Sequence, residues 1–219
     1  MMDKLAVLKQ KGYYPDTILD IGAYHGYWTN GMKTIYNENC QYYLFEAIDY
    51  GELKQFQNDN SVRVYNAVLN DKIDTVNWYQ MKNTGDSIFR EKTHHFANCE
   101  VITRETVDLN TIISQDNLLQ ESKNIFIKID CQGAEIPILK GATSILSKTD
   151  FILLETPFFG NYNEGVPSFL EHLSFMESIG FVPYDILENH YINGFTLQVD
   201  ILFINKNHHF NTLVNQLLL

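Results

Sequence analysis

The chain has 219 residues, 45% of them hydrophobic, and a net charge of −11 from 16 basic and 27 acidic side chains. That length allows one globular domain with a sizeable core and leaves no room for a full second one, and the acidic balance argues against a broad basic surface for nucleic acid. Three scattered cysteines (Cys40, Cys99, Cys131) without a C-x-x-C pair suit reduced thiols and give no zinc site; no apolar run approaches membrane-spanning length, so a cytoplasmic protein without a membrane span is expected.

Leu5 and Leu8 predict a helix over about 3–12, leading through Gly12 and Pro15 into Ile18, Leu19 and Ile21, a short apolar run that reads as a buried strand. The run breaks at Gly22, and helical spacing (Tyr27, Trp28, Met32, Ile35, Tyr36) takes over after Gly26. Strand, glycine turn and helix leave backbone N–H groups free to meet a ligand with no Cβ in the way. The pattern is D-x-G-x-x-x-G, because Ala23 and Tyr24 stand where a dinucleotide fingerprint would carry its middle glycine. The next strand, 41–46, ends in Glu46, at about the interval where a nucleotide-binding unit places a carboxylate on ribose hydroxyls. A surface glutamate at a strand end is the plain alternative.

A second helix is expected over 50–58 and a third strand over 61–69. Alternating residues predict strands at 75–80 and 99–107, flanking a polar stretch, 83–98, that holds Ser87, Arg90, His94 and His95. Together they read as a hairpin-like insertion, about 74–107, with a long functional loop. Asp108 is a good N-cap for a helix through Ile113. Residues 124–130 form the fourth major strand, followed by Gly133 and a helix from Ala134 to about Leu146, with Pro137 in its first turn. The apolar run 151–155 is a central parallel strand. A loop follows at 162–167, then an amphipathic helix, 168–180, closed by glycine. Strands at 181–186 and 197–204, joined by loop alone, suggest an antiparallel pair at one edge. The tail from 208 to 219 reads as a short docked helix. The fold class is α/β: one doubly wound, mostly parallel sheet in a single domain, 1–219.

Ligands bind such sheets outside the carboxyl ends of the strands, near the switch point. There the sequence places Gly22, Glu46, Asn66 with Ala67, Asp130 and Glu155. Lys128 and Asp130, two apart on one strand, point to one face, either as a structural ion pair or as a cation and an acid at the centre of a site. His25 sits in the glycine loop, His94 and His95 matter only if their loop covers the cleft, and His172 and His190 have no spacing that suggests a metal.

The stretches Asp20–Thr29, 44–47 and 66–69 resemble the first motifs of the FkbM-type methyltransferases. More specific is K-I-D at 128–130 with G-A-E at 133–135 and L-K-G-A at 139–142, which is similar to that family's signature; segments 162–165 and 197–203 are similar too. The resemblance runs from about Thr17 to Asn205. It implies a seven-stranded, Rossmann-like class I methyltransferase fold, S-adenosyl-L-methionine as cofactor, and O-methylation of a sugar, a glycan or a natural product. By motif position it puts Gly22 and Gly26 around the methionine part, Glu46 at the ribose, and Asn66 and Ala67 near the adenine, with Asp20, Ala23, Tyr24 and Ala47 also binding the cofactor. Ala47 stands where the family usually has proline, and Cys131 where it commonly has valine.

Methyl transfer to an alcohol needs alignment and a positioned base. The expected roles are Asp130 as base or orienting acid, Lys128 stabilising charge and Glu155 gripping an acceptor hydroxyl. No carboxylate–histidine cluster argues for a required metal, although Asp130 and Glu155 could share a divalent ion with a diol, so metal dependence stays open. The acceptor is a small molecule or a glycan, and the oligomeric state stays open, homodimer included. Two other classes share part of this pattern: a nicotinamide-dependent oxidoreductase, against which the missing middle glycine counts, and a non-catalytic binding protein that keeps the fold. A nucleic-acid methyltransferase is disfavoured by the acidic surface.

Overall fold

The computed structural model describes every residue except Glu38, Tyr162 and Leu219. Tyr162, the first residue of the expected 162–167 loop and of the family-like segment, and Leu219, the last of the expected tail helix, therefore lie outside the described residues. Helix α1 (Met2–Gln10) precedes β1 (Thr17–Ile21), α2 (Tyr27–Ile35) and β2 (Gln41–Glu46). Then come β3 (Val62–Asn66), β4 (Val68–Leu69), β5 (Asp74–Gln80), β6 (Glu100–Val107), α3 (Leu109–Gln115) and β7 (Ile125–Ile129). The chain ends with α4 (Glu135–Lys140), β8 (Thr149–Pro157), α5 (Phe169–Ser178), β9 (Phe181–Ile192), β10 (Phe195–Asn205) and α6 (His209–Leu217). Among the described residues no helix is long and apolar enough to cross a membrane.

Seven strands form the main sheet in the order β3-β2-β1-β7-β8-β10-β9. The first five run parallel, and β10 lies antiparallel between β8 and β9. β1 and β7 are buried at every residue, as their mostly apolar sequences require of strands covered on both faces, and the charged pair Asp20 and Lys128 is buried with them. One face, from Leu19, Ile127 and Leu154 among others, packs towards α3, α4 and α5; the other, from Ile18, Phe126 and Phe151, packs towards α1 and α2. Strand order reverses between β1 and β7, so the crevice at their carboxyl ends is the switch point.

Five local expectations are corrected. The helix expected over 50–58 is a 3₁₀ segment, Gly51–Phe56. The strand expected over 61–69 breaks at Ala67, whose N–H still bonds the Glu46 carbonyl at the end of β2; β3 stays in the main sheet and β4 pairs with β6. The hairpin expected around 74–107 is thus a small three-stranded sheet, β4-β6-β5. The helix expected to reach Leu146 stops at Lys140, because Gly141 packs against the Asn70 backbone, where a Cβ would lie 2.4 Å from the Asn70 carbonyl oxygen. Finally, β9 and β10 run on past their expected ends to a two-residue turn, Asn193-Gly194, both at positive φ, which makes a tight hairpin of the antiparallel edge.

Candidate active site

The glycine turn after β1 is held from two sides. Gly22 and Ala23 donate their N–H groups to the Phe45 carbonyl at 2.9 and 3.2 Å, and Asp130 donates to the Ile21 carbonyl at 3.1 Å. At Gly22 (φ +75°) a Cβ would stand 2.0 Å from the Asp130 carbonyl oxygen, so only glycine lets the ends of β1 and β7 touch. Gly26 has a different task from the expected one. It does not line the cleft; its missing side chain makes room for Phe56, 2.4 Å from where a Cβ would be.

Glu46 turns its carboxylate back over this loop. Oε2 accepts the Tyr24 N–H at 2.7 Å and Oε1 the Ile48 N–H at 3.0 Å. Burial pushes its pKa up, and these N–H bonds pull against that. Each oxygen keeps a lone pair for a further donor. Beyond Glu46 the cleft becomes apolar, lined by Phe45, Ala67, Leu69, Trp78 and Ile138. Ala47 meets the cleft too, and its carbonyl accepts from Arg104 Nη2 at 2.8 Å. Asn66 does not join it: its side chain is exposed, bonds the Glu46 carbonyl at 3.0 Å and lines a neighbouring groove outside β2 and β3.

Asp20 lies beneath the site, fully buried, taking the Thr29 hydroxyl at 2.6 Å and the Lys128 ammonium at 3.2 Å. Lys128 also donates to the Gly22 carbonyl at 2.7 Å and lies 3.6 Å from Asp130. Burial alone would lower its pKa; Asp20 and Asp130 outweigh that and hold it above the ordinary lysine value. Its charge is spent on ordering the strand ends, with little of it facing the cleft.

Asp130 and Glu155 lie at the mouth, where β7 and β8 end. Gln132 and Gln198 both donate to Glu155 Oε2, at 2.8 and 2.9 Å. Burial, with Asp130 and then Asp200 beside it, pushes the Glu155 carboxyl well above the usual carboxylate range. Sequence spacing gave no hint of Asp200, which is buried and accepts from His190 Nε2 at 3.0 Å. It became a neighbour of Glu155 through the β8–β10 register, and of His190 through the β9–β10 hairpin.

The insertion covers the cleft through its first turn alone. Asp86 accepts the N–H groups of Met81 and Lys82, and Ser87 donates to the Cys131 and Gln132 carbonyls, fixing 83–88 over the cavity. Arg90 is turned towards the Phe96 and Ala97 carbonyls, and His94 stacks on His95 at the surface. His25 stacks on Tyr24 at 3.7 Å, outside the cleft, and His172 is buried beside Glu135. Tyr50 and Trp78, both cleft-lining, were missed because an aromatic in a turn or an outer strand carries no local signal of its tertiary neighbour.

The residues present fit an adenosyl group: a carboxylate fixed by two backbone donors with lone pairs to spare and an apolar pad line one cleft beside the glycine turn.

A family profile described as Methyltransferase FkbM domain matches residues 20–183. Among solved structures, the 1,6-didemethyltoxoflavin-N1-methyltransferase of Burkholderia thailandensis, with bound 1,6-didemethyltoxoflavin and S-adenosylhomocysteine, is 8% identical; the match covers 94% of this chain and 78% of that one, at a TM-score of 0.50. An uncharacterized protein of Listeria monocytogenes serotype 4b is 12% identical over 94% of this chain and 67% of its own, also at 0.50. A SAM dependent methyltransferase from Aquifex aeolicus is 16% identical over 93% and 89%, at 0.46. No curated protein matches the sequence. At such identities the likeness is one of fold: a seven-stranded, mostly parallel sheet with one antiparallel edge.

Proposed function

The chain belongs to the methyltransferase FkbM family, and from that premise we propose that this S-adenosylmethionine-dependent methyltransferase acts on oxygen, methylating a hydroxyl of a sugar, a glycan or a natural product. The observation that carries the reading is the pair of carboxyl groups, Asp130 and Glu155, beside the glycine turn at the mouth of a cleft whose far end is apolar. The cofactor, when bound, supplies an electrophilic methyl group. Gly22, Ala23 and Tyr24 would hold its methionine end, Glu46 its ribose, and Ala67 with Leu69 the adenine.

An attacking hydroxyl must shed its proton, and Asp130, with 43% of its side chain exposed and its charge stabilised by Lys128 at 3.6 Å, is placed to take it. Glu155, beside Asp130 in the same recess, can grip a second acceptor hydroxyl. Lys128 thereby acts through Asp130 and the Gly22 turn and does not touch substrate. Asp20 supports Lys128, and Gly26 supports the loop.

We read residues 1–219 as one working unit. A reducing compartment such as the cytoplasm suits its three free thiols. The family match displaces the nicotinamide reading. What remains beside catalysis is a chain that binds the cofactor and transfers nothing.

The test couples calorimetry with S-adenosylhomocysteine to a methyl-transfer screen over hydroxylated sugars and natural products, in wild type and Asp130→Asn. Binding in both, with turnover on a hydroxyl acceptor in wild type only, is the expected result. Turnover on nitrogen acceptors alone, or an Asp130→Asn variant as fast as wild type, overturns it.

A further inference from the structure

The three strands at the antiparallel edge each deliver one donor to the same face of the sheet. Glu155 in β8 pairs with Asp200 in β10, and His190 in β9 pairs with Gln198, two residues before Asp200. Residues paired across strands, and residues two apart along one, share a face. Two carboxylates and an imidazole therefore converge where β8 ends, and one ligand atom from each lies within 4.8 Å of the others. Donors on opposite sides of a divalent ion at metal–ligand distances of 2.0 to 2.3 Å are about 4 to 4.6 Å apart, so small side-chain adjustments would suffice.

This set differs from a patch of surface acids. A nitrogen donor stands among the oxygens. Asp200, only 7% exposed, uses one oxygen for His190, and among the described residues no donor reaches the other, which opens to the recess that Glu155 and Asp130 also line. Register fixes the positions from three strands, and a register shift between Thr196 and Gln198 sits beside them, the kind of bulge that re-aims side chains near sites. Negative charge also outweighs positive there, His190 being only a partial partner for Asp200. Asp130, Glu155, Glu188 and Asp200 act on one another, while Lys128 is already turned to Asp20, Gly22 and Asp130. Buried carboxylates without a counter-charge are costly, and a divalent cation supplies one.

We propose that Glu155, His190 and Asp200 hold a divalent cation, Mg²⁺ or Mn²⁺, at the acceptor side of the cleft, and that the acceptor reaches it through two adjacent oxygens. Carboxylate oxygens suit both ions, and the imidazole favours Mn²⁺ of the two. Three protein ligands leave positions open on a six-coordinate ion, as substrate-binding metal sites do. The ion would stand beside Asp130, next to the glycine turn, where it can lower the pKa of a coordinated hydroxyl. The cation site rests on the geometry alone; the acceptor half rests on the methyltransferase reading above.

The full chain is titrated with Mn²⁺, free ion being followed by electron paramagnetic resonance, in wild type, His190→Gln and Asp200→Asn. The same samples are titrated with S-adenosylhomocysteine. One tight equivalent of Mn²⁺ in wild type is expected, weakened at least about tenfold in each variant, with S-adenosylhomocysteine affinity unchanged. No bound equivalent, or equal Mn²⁺ binding in wild type and both variants, overturns the site, whatever the S-adenosylhomocysteine titration gives. Absence of S-adenosylhomocysteine binding in wild type would instead strike the methyltransferase reading and leave the cation result standing. For the acceptor half, turnover lost after chelator treatment and restored by Mn²⁺ is expected; full turnover by the stripped chain overturns it.

Discussion

Lys128 Nζ donates to the Gly22 carbonyl at 2.7 Å, so a buried ammonium in β7 fixes the turn on which β1 ends. The same group neutralises Asp20 beneath the turn and steadies Asp130 above it. Three pieces of the site, from two strands, thus depend on one charge.

Lys128→Met leaves Asp20 fully buried without a counter-charge. Breaking one side of a buried pair costs about 3–5 kcal/mol, and the freed Gly22 carbonyl adds to it. Denaturant unfolding should show a loss in that range. S-adenosylhomocysteine binding should vanish even at temperatures where the variant stays folded. A loss below about 1 kcal/mol, the level of an exposed pair, would mean that solvent reaches Asp20 and that the staple is not one.

Gly22 and Gly12 separate two effects of positive φ. Both are left-handed, at +75° and +89°, but a Cβ at Gly12 meets nothing within 4 Å, whereas at Gly22 it collides with the Asp130 backbone. Gly12→Ala should cost only the conformational strain, about 1 kcal/mol, and leave cofactor affinity alone. Gly22→Ala must push β1 and β7 apart, and calorimetry should find no S-adenosylhomocysteine binding. Equal behaviour of the two variants would show that the close approach at the switch point is not needed.

Much of this site could be read from the chain because its central strands are short and apolar but for one charged residue each, Asp20 and Lys128. Ile18 to Ile21 and Ile125 to Ile129 have no other stable place than the middle of a parallel sheet, and the residues just past them had to stand at its carboxyl edge. What periodicity encodes is a face, and it does not name the neighbour on that face. Lys128 was legible as sharing a side with Asp130, but its bonds to Asp20 and Gly22 come from the β1·β7 register, more than a hundred residues apart in sequence. His190 and Asp200 were invisible as a pair for the same reason, since only the Asn193-Gly194 turn, unread as a hairpin signal, sets them diagonally on one face. The over-long helices had a local cause. Residues 50–58 and 141–146 have acceptable helix propensity, and packing of Gly26 on Phe56 and Gly141 on Asn70 overrode it.

Glu46 is the test of the ribose contact. Its carboxylate takes two backbone N–H groups and keeps lone pairs over the cleft. Hydrogen bonds to a charged group are worth about 1.5–3 kcal/mol, so Glu46→Ala should weaken S-adenosylhomocysteine about 10- to 100-fold. Glu46→Gln retains the shape and one acceptor oxygen, and it should fall between the two. Unchanged affinity in Glu46→Ala would remove this residue from the site.

At the opposite end of the sheet, Asp150 couples stability to pH. Burial, then the charge of Asp16, raises its carboxyl from 3.8 to about 7, with Tyr13 pulling the other way. One of its oxygens is buried without a partner, and Asp16 is committed to the N–H groups of Lys123 and Asn124. The folded state therefore holds this proton more tightly than the unfolded chain. The sign follows: the contribution favours folding below the unfolded value near 3.8 and is lost as pH rises through about 7. Asp150→Asn removes that dependence. With a discount for the solvent that reaches the group, the variant should gain about 1 kcal/mol more over wild type at pH 8 than at pH 5. Urea unfolding of both proteins at the two pH values measures the difference directly. Parallel pH profiles would mean that Asp150 ionises in the folded protein as easily as in water, and that its burial costs nothing.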